Sequence, residues 1–364
     1  MVFLLNKKEY GPYEGVCYYA SSPIFSSDSE SFAYTALEEK DGGWYLFLNE
    51  EKIGPYDIMY DLLFSPDSKN FAYVVQRGSE HFVVFNKQEG NSYETITDLA
   101  FSSDSRHIAY MARKNNNWFA VLDGEQQKKY DDKCYWNRTG PIFSPDSKSF
   151  AYCVKRDNNY FVVMDGKEKG PYDFISSIGF SADSKNFFYK ATKGERSFVV
   201  LNGAEIGDRI ERFVLSPNSK NFAYSFVAHN YMKNSTESFV VLSGEKGESY
   251  NHKGLIFSLT FSPDSKRLVY VVEEGFDYTC VANGEKGKTY LMINKITFSP
   301  NSEHLAYVAE NRGEYKPFVV LDGKEMDLRY DYIFTDLVFT PDNKFLYYGA
   351  LIGNELWWIV ENVE

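Results

Sequence analysis

The chain has 364 residues, of which 43% are apolar and 18% aromatic, and it carries 39 lysines and arginines against 51 aspartates and glutamates. The formal net charge of −12 disfavours a nucleic-acid backbone or an anionic membrane surface as partner, and its simplest role is solubility. No apolar stretch is long enough to span a bilayer, so membrane insertion is not expected.

A short phrase returns nine times along the chain, at intervals of roughly forty residues. In its second copy it reads Phe-Ser-Pro-Asp-Ser at residues 64–68, followed by Phe-Ala-Tyr at residues 71–73. Self-similarity at this period indicates a repeat array, in which each unit is one supersecondary piece that cannot bury its apolar face alone. The nine copies begin at Phe25, Phe64, Phe101, Phe143, Phe180, Leu215, Phe261, Phe298 and Phe339.

Within the second unit, turn residues separate three apolar segments. Residues 61–64 precede the turn, residues 71–75 follow it, and residues 82–86 come after a polar link. Proline sets φ for the first corner of a type I turn, and aspartate and serine bond the local backbone there. In other units the third segment ends in a hairpin signal. These signals are Asp123-Gly124, Asp165-Gly166, Asn202-Gly203, Asn283-Gly284 and Asp322-Gly323.

A weaker fourth segment follows the third, typified by Gly-Pro-Tyr-Asp-Phe-Ile at residues 170–175. Its proline cannot donate to a strand ladder, which is tolerated at a sheet edge. Four short antiparallel strands, with the last at the edge, describe one blade of a β-propeller. No ten-residue run combines helical periodicity with caps. The sequence therefore predicts an all-β chain, a single β-propeller domain over residues 1–364, with nine four-stranded antiparallel blades, or eight if one repeat is displaced.

A tyrosine stands nine residues after each of the nine leading positions. Because it recurs in every unit, we expect it to serve the blade by packing between neighbouring sheets, with its hydroxyl bonded to a backbone or turn partner. A functional ladder of tyrosines is the alternative. The nine are Tyr34, Tyr73, Tyr110, Tyr152, Tyr189, Tyr224, Tyr270, Tyr307 and Tyr348.

At these residues the chain resembles the WD40-like, TolB-type propeller repeats of bacterial proteins, whose signature is Phe/Trp-Ser-Pro-Asp-Gly, two residues, and a short apolar strand. The resemblance runs from about Phe25 to Tyr348 and implies a propeller fold. It implies little about function, because the family includes colicin-transport accessories, peptidase-associated propellers and proteins without a known role. This chain departs from the signature where serine or asparagine replaces its glycine. Examples are Ser68, Ser147, Ser265 and Asn343.

The two ends of the chain together predict the closing blade. The last unit supplies a first strand (residues 334–339), a second (346–350) and a third (356–360), and then the chain stops. Near the start, Tyr-Gly-Pro-Tyr at residues 10–13 matches the fourth-strand phrase. An open sheet edge invites aggregation, so we expect a composite blade whose outer strand comes from the first fifteen or so residues.

The four cysteines have no framework spacing, so we expect four free and mostly buried thiols. They are Cys17, Cys134, Cys153 and Cys280. This usage and the lack of a leader favour a cytoplasmic protein, whereas a cleaved leader would make it an exported one, as TolB-type relatives often are. The localisation stays open.

No motif for catalysis, a cofactor or a metal emerges. Gly-Lys-Thr at residues 287–289 lacks the upstream glycine of a phosphate loop, because Ala282 stands there, and no helix follows. The five histidines make no zinc-ligand spacing, and neither a Gly-x-Ser-x-Gly elbow nor a calcium loop is present. We therefore predict no cofactor and no metal site.

The variable loops are candidates for binding, because non-uniform loops on a rigid scaffold often carry function. The longest insert, at residues 228–234, contains His229 and Tyr231, and the join into the fourth unit contains Trp136. A third variable stretch covers residues 311–315. Neutral drift in exposed loops is the competing explanation.

A second candidate set lies three residues before each leading position, in the first strand, where no residue is apolar. Such a set would place acids and bases from different blades along a wet axial channel, although a water-filled channel also tolerates polar side chains without any function. The positions are Ser22, Asp61, Asp98, Gly140, Ser177, Arg212, Ser258, Lys295 and Asp336.

The sequence thus favours a scaffold that binds a protein or peptide partner, or a small polar ligand in the channel, through the variable face and these polar positions. The alternative is an enzyme, for example a carbohydrate hydrolase or lyase, whose acids and bases assemble across blades. In that case Asp61, Asp98 or Asp336 would be paired with Arg212 or Lys295.

Overall fold

The computed structural model of the chain describes residues 3–5, 8–10, 15–16, 23–38, 42–49, 51–135, 139–230, 235–251 and 255–363. Every helix or strand element in these ranges is a β-strand, which confirms the all-β class. Accordingly, no helix in the described part of the chain could cross a membrane.

Contacts between residues divide the chain into two compact units, so the single domain stays a prediction. Unit 1 comprises Met1–Phe180, Asn186–Glu195 and Val200–Gly203, and unit 2 comprises Ser181–Lys185, Arg196–Val199 and Ala204–Glu364.

The strands of unit 1 form an N-terminal hairpin and four larger sheets, which we number as blades. They are Phe3–Leu5 and Lys8–Tyr10 (hairpin); Gly15–Val16, Ile24–Phe25, Phe32–Leu37, Trp44–Leu48 and Glu51–Tyr56 (blade 1); Ile58–Phe64, Phe71–Arg77, Glu80–Phe85 and Gln88–Tyr93 (blade 2); Thr95–Phe101, Ile108–Lys114, Asn117–Leu122 and Glu125–Gln126 (blade 3); Asp132–Lys133, Ile142–Phe143, Phe150–Arg156, Asn159–Met164 and Lys167–Tyr172 (blade 4).

Blade 5 contributes residues to both units, and unit 2 holds the remaining four blades. The strands are Phe174–Phe180, Phe187–Lys193, Arg196–Leu201 and Ala204–Ile206 (blade 5); Ile210–Leu215, Phe222–Asn230, Ser235–Leu242 and Glu245–Asn251 (blade 6); Leu255–Phe261, Leu268–Glu274, Asp277–Ala282 and Glu285–Tyr290 (blade 7); Met292–Phe298, Leu305–Glu310, Pro317–Leu321 and Lys324–Glu325 (blade 8); Tyr332–Ile333, Val338–Phe339, Phe345–Ile352 and Glu355–Asn362 (blade 9).

These sheets are successive antiparallel meanders, and in six of the nine blades each strand pairs with the next along the chain. Such meanders are the blades of a β-propeller, and the predicted count of nine agrees with the nine blade sheets. In blades 1, 4 and 9 the first strand is broken into two short pieces that pair with the same second strand. The predicted first strand at residues 334–339 is therefore two pieces, Tyr332–Ile333 and Val338–Phe339.

The two N-terminal strands pair with each other, which was not predicted. Phe3–Leu5 pairs with Lys8–Tyr10, whereas Glu355–Asn362, the third strand of blade 9, pairs with the second strand of its own blade. The composite closing blade stays a prediction.

The repeated Ser-Pro-Asp-Ser turn has one geometry throughout. Ser65 Oγ donates to Asp67 Oδ1 at 2.6 Å, and the same carboxylate oxygen accepts the Lys69 N–H at 3.2 Å. Ser68 follows at a φ of +64°, in the left-handed region where glycine is favoured. Its hydroxyl accepts the backbone N–H of Asp28 from the preceding turn at 3.0 Å, so serine supplies a link between turns that glycine cannot.

Seven such links join successive turns within the two units. In each, the backbone N–H of the turn's Asp or Asn donates to the side chain of the residue at positive φ in the next turn. The pairs are Asp28–Ser68, Asp67–Ser105, Asp104–Ser147, Asp183–Ser219, Asn218–Ser265, Asp264–Ser302 and Asn301–Asn343.

The Asp-Gly and Asn-Gly signals form the hairpins that were predicted. At Asp123 and Gly124 the φ angles are +50° and +83°, as a type I′ turn requires. The Asp123 carboxylate also accepts the N–H of Ile108 at 2.9 Å, which fixes the start of the second strand.

Eight of the nine repeated tyrosines are buried, which confirms the packing prediction, and Tyr224 is half-buried. The predicted hydroxyl partner was wrong in the three pairs below, because the partner is a tyrosine in or shortly after the preceding fourth strand. Three pairs join hydroxyl to hydroxyl at 2.7–2.9 Å, namely Tyr172–Tyr189, Tyr250–Tyr270 and Tyr330–Tyr348. Tyr224 is the exception because residues 204–209 contain no tyrosine.

The expectation of four free thiols was wrong. Lys133 pairs with Val154, so the next residue, Cys134, lies beside Cys153 and forms a disulfide with a Cα–Cα distance of 5.5 Å. Cys280 is free and buried, and burial raises the pKa of its thiol to about 12. Cys17 lies outside the described residues. Because disulfides favour oxidising compartments, the cysteine-based expectation of a cytoplasmic location loses its basis.

Candidate functional site

The polar positions of the first strands coincide with β-bulges. The pairing register shifts between Tyr60 and Leu63 in blade 2 and between Thr97 and Ala100 in blade 3, around Asp61 and Asp98. A bulge leaves one residue unpaired and changes the direction of its side chain, so a polar residue there escapes the apolar face of the sheet. Four of these positions have φ between +51° and +60°, namely Asp61, Asp98, Ser258 and Lys295.

Asp61 and Asp98 lie together in a cavity of about 550 Å³ in unit 1, which we call the acidic cavity. The bulges of two successive blades bring the two carboxylates to one site. The cavity is lined by Ile58, Tyr60, Asp61, Leu62, Leu63, Thr97, Asp98 and Leu99.

Lys133 joins this site and was missed by the sequence analysis. Its Nζ lies 2.7 Å from Asp98 Oδ2, and its side chain is only 10% exposed. The Thr97 hydroxyl donates to the same carboxylate oxygen at 2.6 Å. Alignment to the repeat placed Gly140 at the polar position of blade 4, and a Cβ there would lie 2.8 Å from Asp98 Cβ. Because the first strand of blade 4 is broken, Lys133, seven residues before Gly140, lies at the site instead. The sequence signal for Lys133 that was missed is a second polar position, in the strand piece before Cys134.

Among the described residues, Asp61 has no counter-ion of its own. Its carboxylate makes no hydrogen bond or ion pair with any residue that the structure describes. Burial raises the pKa of Asp61 above its usual 3.8, the charge of Asp98 raises it further, and Lys133 opposes both effects. The site thus holds two carboxylates and one ammonium group, which is already bonded to Asp98.

Tyr60 forms a fixed wall of the acidic cavity. Its hydroxyl donates to the carbonyl oxygen of Ile96 at 2.9 Å and lies 2.9 Å from His81 Nδ1. A hydroxyl has one hydrogen, so His81 must donate from Nδ1 to the tyrosine oxygen. Burial lowers the pKa of His81, which keeps the ring neutral near pH 7.

The remaining charged candidates lie in two cavities of unit 2. Lys295 and Asp336 line one of about 490 Å³, with Lys295 Nζ 3.8 Å from Asp336 Oδ1 and the Asp336 side chain 90% exposed. Arg212 lines another of about 350 Å³. Of the predicted pairings between an acid and a base, the one between Asp336 and Lys295 is present.

The variable-loop candidates are not tested by the structure. Trp136 and Tyr231 lie outside the described residues, as does Ser22 among the polar positions. The backbone of His229 belongs to the second strand of blade 6 and pairs with Thr236, and its side chain is not described. The insert predicted as a loop is thus partly an extension of two strands.

The described residues bring no three histidine, cysteine, aspartate or glutamate side chains together in a group that could hold a metal ion. The polar groups described at the acidic cavity are two carboxylates, one lysine and two hydroxyl groups.

No family model and no curated protein matches the chain. Solved structures with similar folds include the Dos1 propeller, with 11% identity, coverage of 93% of this chain and 90% of that chain, and a TM-score of 0.41. A putative dipeptidyl aminopeptidase IV from Bacteroides ovatus has 11% identity, coverage of 92% and 65%, and a TM-score of 0.44. TolB from Acinetobacter baumannii has 16% identity, coverage of 71% and 77%, and a TM-score of 0.32.

Proposed function

We propose that the chain is a TolB-type propeller that acts as a binding protein, and that its acidic cavity receives the cationic end of a lysine or arginine side chain from a protein or peptide partner. The observation that carries this proposal is the charge imbalance of the cavity. Asp61 is ionisable, faces a second carboxylate, and has no cation of its own among the described residues.

The walls of the cavity suit such a side chain. Ile58, Leu62 and Leu99 provide apolar surface for an aliphatic stem, while Asp61 would pair with the charged end. The net charge of −12 would also attract a basic partner from a distance. Both features favour a basic peptide over an acidic or neutral one.

The test is the affinity of a short arginine-containing peptide, measured by calorimetry, with the citrulline form of the same peptide as the neutral control. Asp61→Asn keeps the shape and suits the left-handed φ of +51°. The variant should weaken binding at least about tenfold. Asp336→Asn, which removes an equal charge from the cavity lined by Lys295 in unit 2, should leave the affinity unchanged. Equal affinities for the two variants would refute the proposal.

Binding should also depend on pH in a defined direction. A cationic ligand favours the ionised form of Asp61, so affinity should fall as pH falls through the pKa of this group. Because that pKa is raised above 3.8, the fall should begin at a higher pH than for an ordinary aspartate. In Asp61→Asn this part of the pH dependence should disappear.

A second candidate function rests on the same raised pKa. A carboxyl group with a raised pKa close to a second carboxylate is an arrangement that glycoside-cleaving enzymes use for acid catalysis. Release of reducing ends from polysaccharides, lost in Asp61→Asn and retained in Asp336→Asn, would support a carbohydrate hydrolase. Binding of the basic peptide without turnover supports the binding protein.

A further inference from the structure

Blade 6 departs from its neighbours at two positions that lie diagonally opposite each other on its second and third strands. The residue before the third-strand Phe-Val-Val segment is bulky in most blades but is Ser238 in blade 6. The residues at this position in blades 2 to 8 are, in order, His81, Trp118, Tyr160, Ser197, Ser238, Tyr278 and Pro317. The residue after the repeated tyrosine is Ser225, and blade 6 alone among these blades has serine at both positions.

The two serines line a cavity of about 350 Å³ in unit 2, which we call the serine cavity. Val227 pairs with Ser238 and Ser225 pairs with Val240, so the two serines lie on the same face of the sheet. Serine at both positions, where most of these blades have a larger residue at each, leaves this space unfilled. The cavity is lined by Glu211, Arg212, Ser225, Val227, Ser238, Leu255, Ile256 and Phe257.

The hydroxyl of Ser238 has no hydrogen-bond partner within the described residues, although the side chain is only 1% exposed. A buried hydroxyl without a partner costs free energy, so its presence calls for an explanation such as a bound ligand. Ser225 accepts the backbone N–H of Arg212 at 3.1 Å, and its own hydrogen has no acceptor among the described residues. Both serines can therefore donate to a ligand.

Arg212 is positioned at the same cavity with part of its guanidinium group free. Its Nε donates to the carbonyl oxygen of Ile256 at 3.1 Å, and its guanidinium carbon lies 5.7 Å from the centre of the Phe257 ring. The two terminal nitrogens have no partner among the residues that the structure describes. They form the planar fork that matches a carboxylate.

We propose that the serine cavity binds the carboxylate of a small organic acid with an apolar body, supplied either as a free acid or as the C-terminus of a peptide. Arg212 and the hydroxyls of Ser225 and Ser238 bind the carboxylate oxygens, and Ile256, Phe257 and Val227 contact the apolar body. Glu211 also lines the cavity, so a single negative charge suits the site better than a phosphate dianion. This site is independent of the acidic cavity.

The test measures binding of isovalerate and benzoate to the full chain by calorimetry and ligand-observed NMR, with isovaleramide and benzamide as neutral controls of the same shape. We expect the acids to bind and the amides not to bind. A peptide ending in a free leucine carboxylate, compared with its amidated form, distinguishes a C-terminus from a free acid as the natural source. Binding of the free acids, or of the peptide with a free carboxylate, supports the site. Equal binding of acids and amides overturns it.

Three variants assign the binding to these residues. Arg212→Gln should weaken binding at least about tenfold. Ser238→Ala removes an unpartnered hydroxyl, so it should remain folded while binding severalfold more weakly. Ser197→Ala is the matched control from blade 5, because the Ser197 hydroxyl already donates to Ile210 O at 3.0 Å, and it should bind like the parent chain. If Ser238→Ala binds as tightly as Ser197→Ala, the serine cavity is not the site.

Discussion

A serine held at a φ near +60° is strained, and the turns of this chain have eight serines and one asparagine in this conformation at the position where the propeller signature has glycine. At Ser105 the φ is +63°, and the hydroxyl accepts the N–H of Asp67 at 2.9 Å. The side-chain acceptor thus offsets the cost of the backbone conformation. Serine and asparagine both provide such an acceptor, which explains why they replace glycine here.

Substitutions at Ser105 separate these two effects. Ser105→Ala keeps the strain and loses the hydrogen bond, so it should lower the free energy of unfolding by about 1–2 kcal/mol. Ser105→Gly loses the bond but relieves the strain, so it should cost less. Ser105→Asn should be nearly neutral, since Asn343 accepts the equivalent N–H of Asn301 at 2.9 Å. Urea unfolding measures all three, and a glycine variant less stable than the alanine variant would contradict this account.

Only some of the residues at the acidic cavity could be predicted from the sequence. The polar positions in the first strands pointed to Asp61 and Asp98 because a fixed offset from the repeat locates them. Lys133 could not be found that way, since the offset holds only while the first strand is continuous, and in blade 4 it is broken. The disulfide between Cys134 and Cys153 was missed for the same reason.

At the level of strands, neighbouring blades are joined by pairs of tyrosines. Six pairs have their rings in edge-to-face contact, with centroids 5.6–6.3 Å apart, a geometry that aromatic rings favour. In the pair of Tyr250 and Tyr270 both side chains are buried and the hydroxyl oxygens lie 2.9 Å apart. Each hydroxyl is thus a partner for the other in an apolar interface.

A double-mutant cycle tests this pairing. Tyr250→Phe or Tyr270→Phe should each destabilise the chain by about 1–2 kcal/mol, because the remaining hydroxyl is left buried without that partner. The double variant removes both hydroxyls, so its cost should be smaller than the sum of the single costs. Urea denaturation gives the three values. Strictly additive costs would mean that the hydroxyls do not depend on each other.

Strand order and turn type were predictable because they follow from local chemistry, such as the Asp-Gly hairpins and the Ser-Pro-Asp-Ser turns. The tyrosines that pair with the nine repeated tyrosines were less predictable. The fourth strands are short and irregular in sequence, and the partner tyrosine lies 17–22 residues before its mate in seven blades, as in Tyr56 with Tyr73 and Tyr130 with Tyr152.

For the whole molecule, the nine-fold repeat predicted the number of blades, whereas the last blade is less regular. Large apolar side chains of its third strand, Glu355–Asn362, are not covered by the described residues, with Leu356 73% and Trp358 68% exposed. An exposed apolar strand is an aggregation hazard, and the sequence predicts that the N-terminal segment covers it. The fourth-strand phrase at residues 10–13 is the basis of this prediction.

Deleting residues 1–13 tests it. The truncated chain should lose several kcal/mol of stability, on the order of burying two or three large side chains. The fluorescence of Trp357 and Trp358 should shift to longer wavelength and become more accessible to iodide. Mutating both tryptophans to phenylalanine in parallel shows which part of the signal is theirs. An unchanged melting temperature together with unchanged quenching would show that the segment does not cover this strand.

The links between successive turns also bear on how such a chain changes in length over evolution. Each of the seven links joins the backbone N–H of one turn to the side-chain oxygen at positive φ in the next turn. A gene that duplicates or loses one whole repeat therefore creates a new neighbour with matching hydrogen-bonding groups. Crossing-over between repeats can thus alter the number of blades without leaving a turn unmatched, which makes blade number itself open to selection.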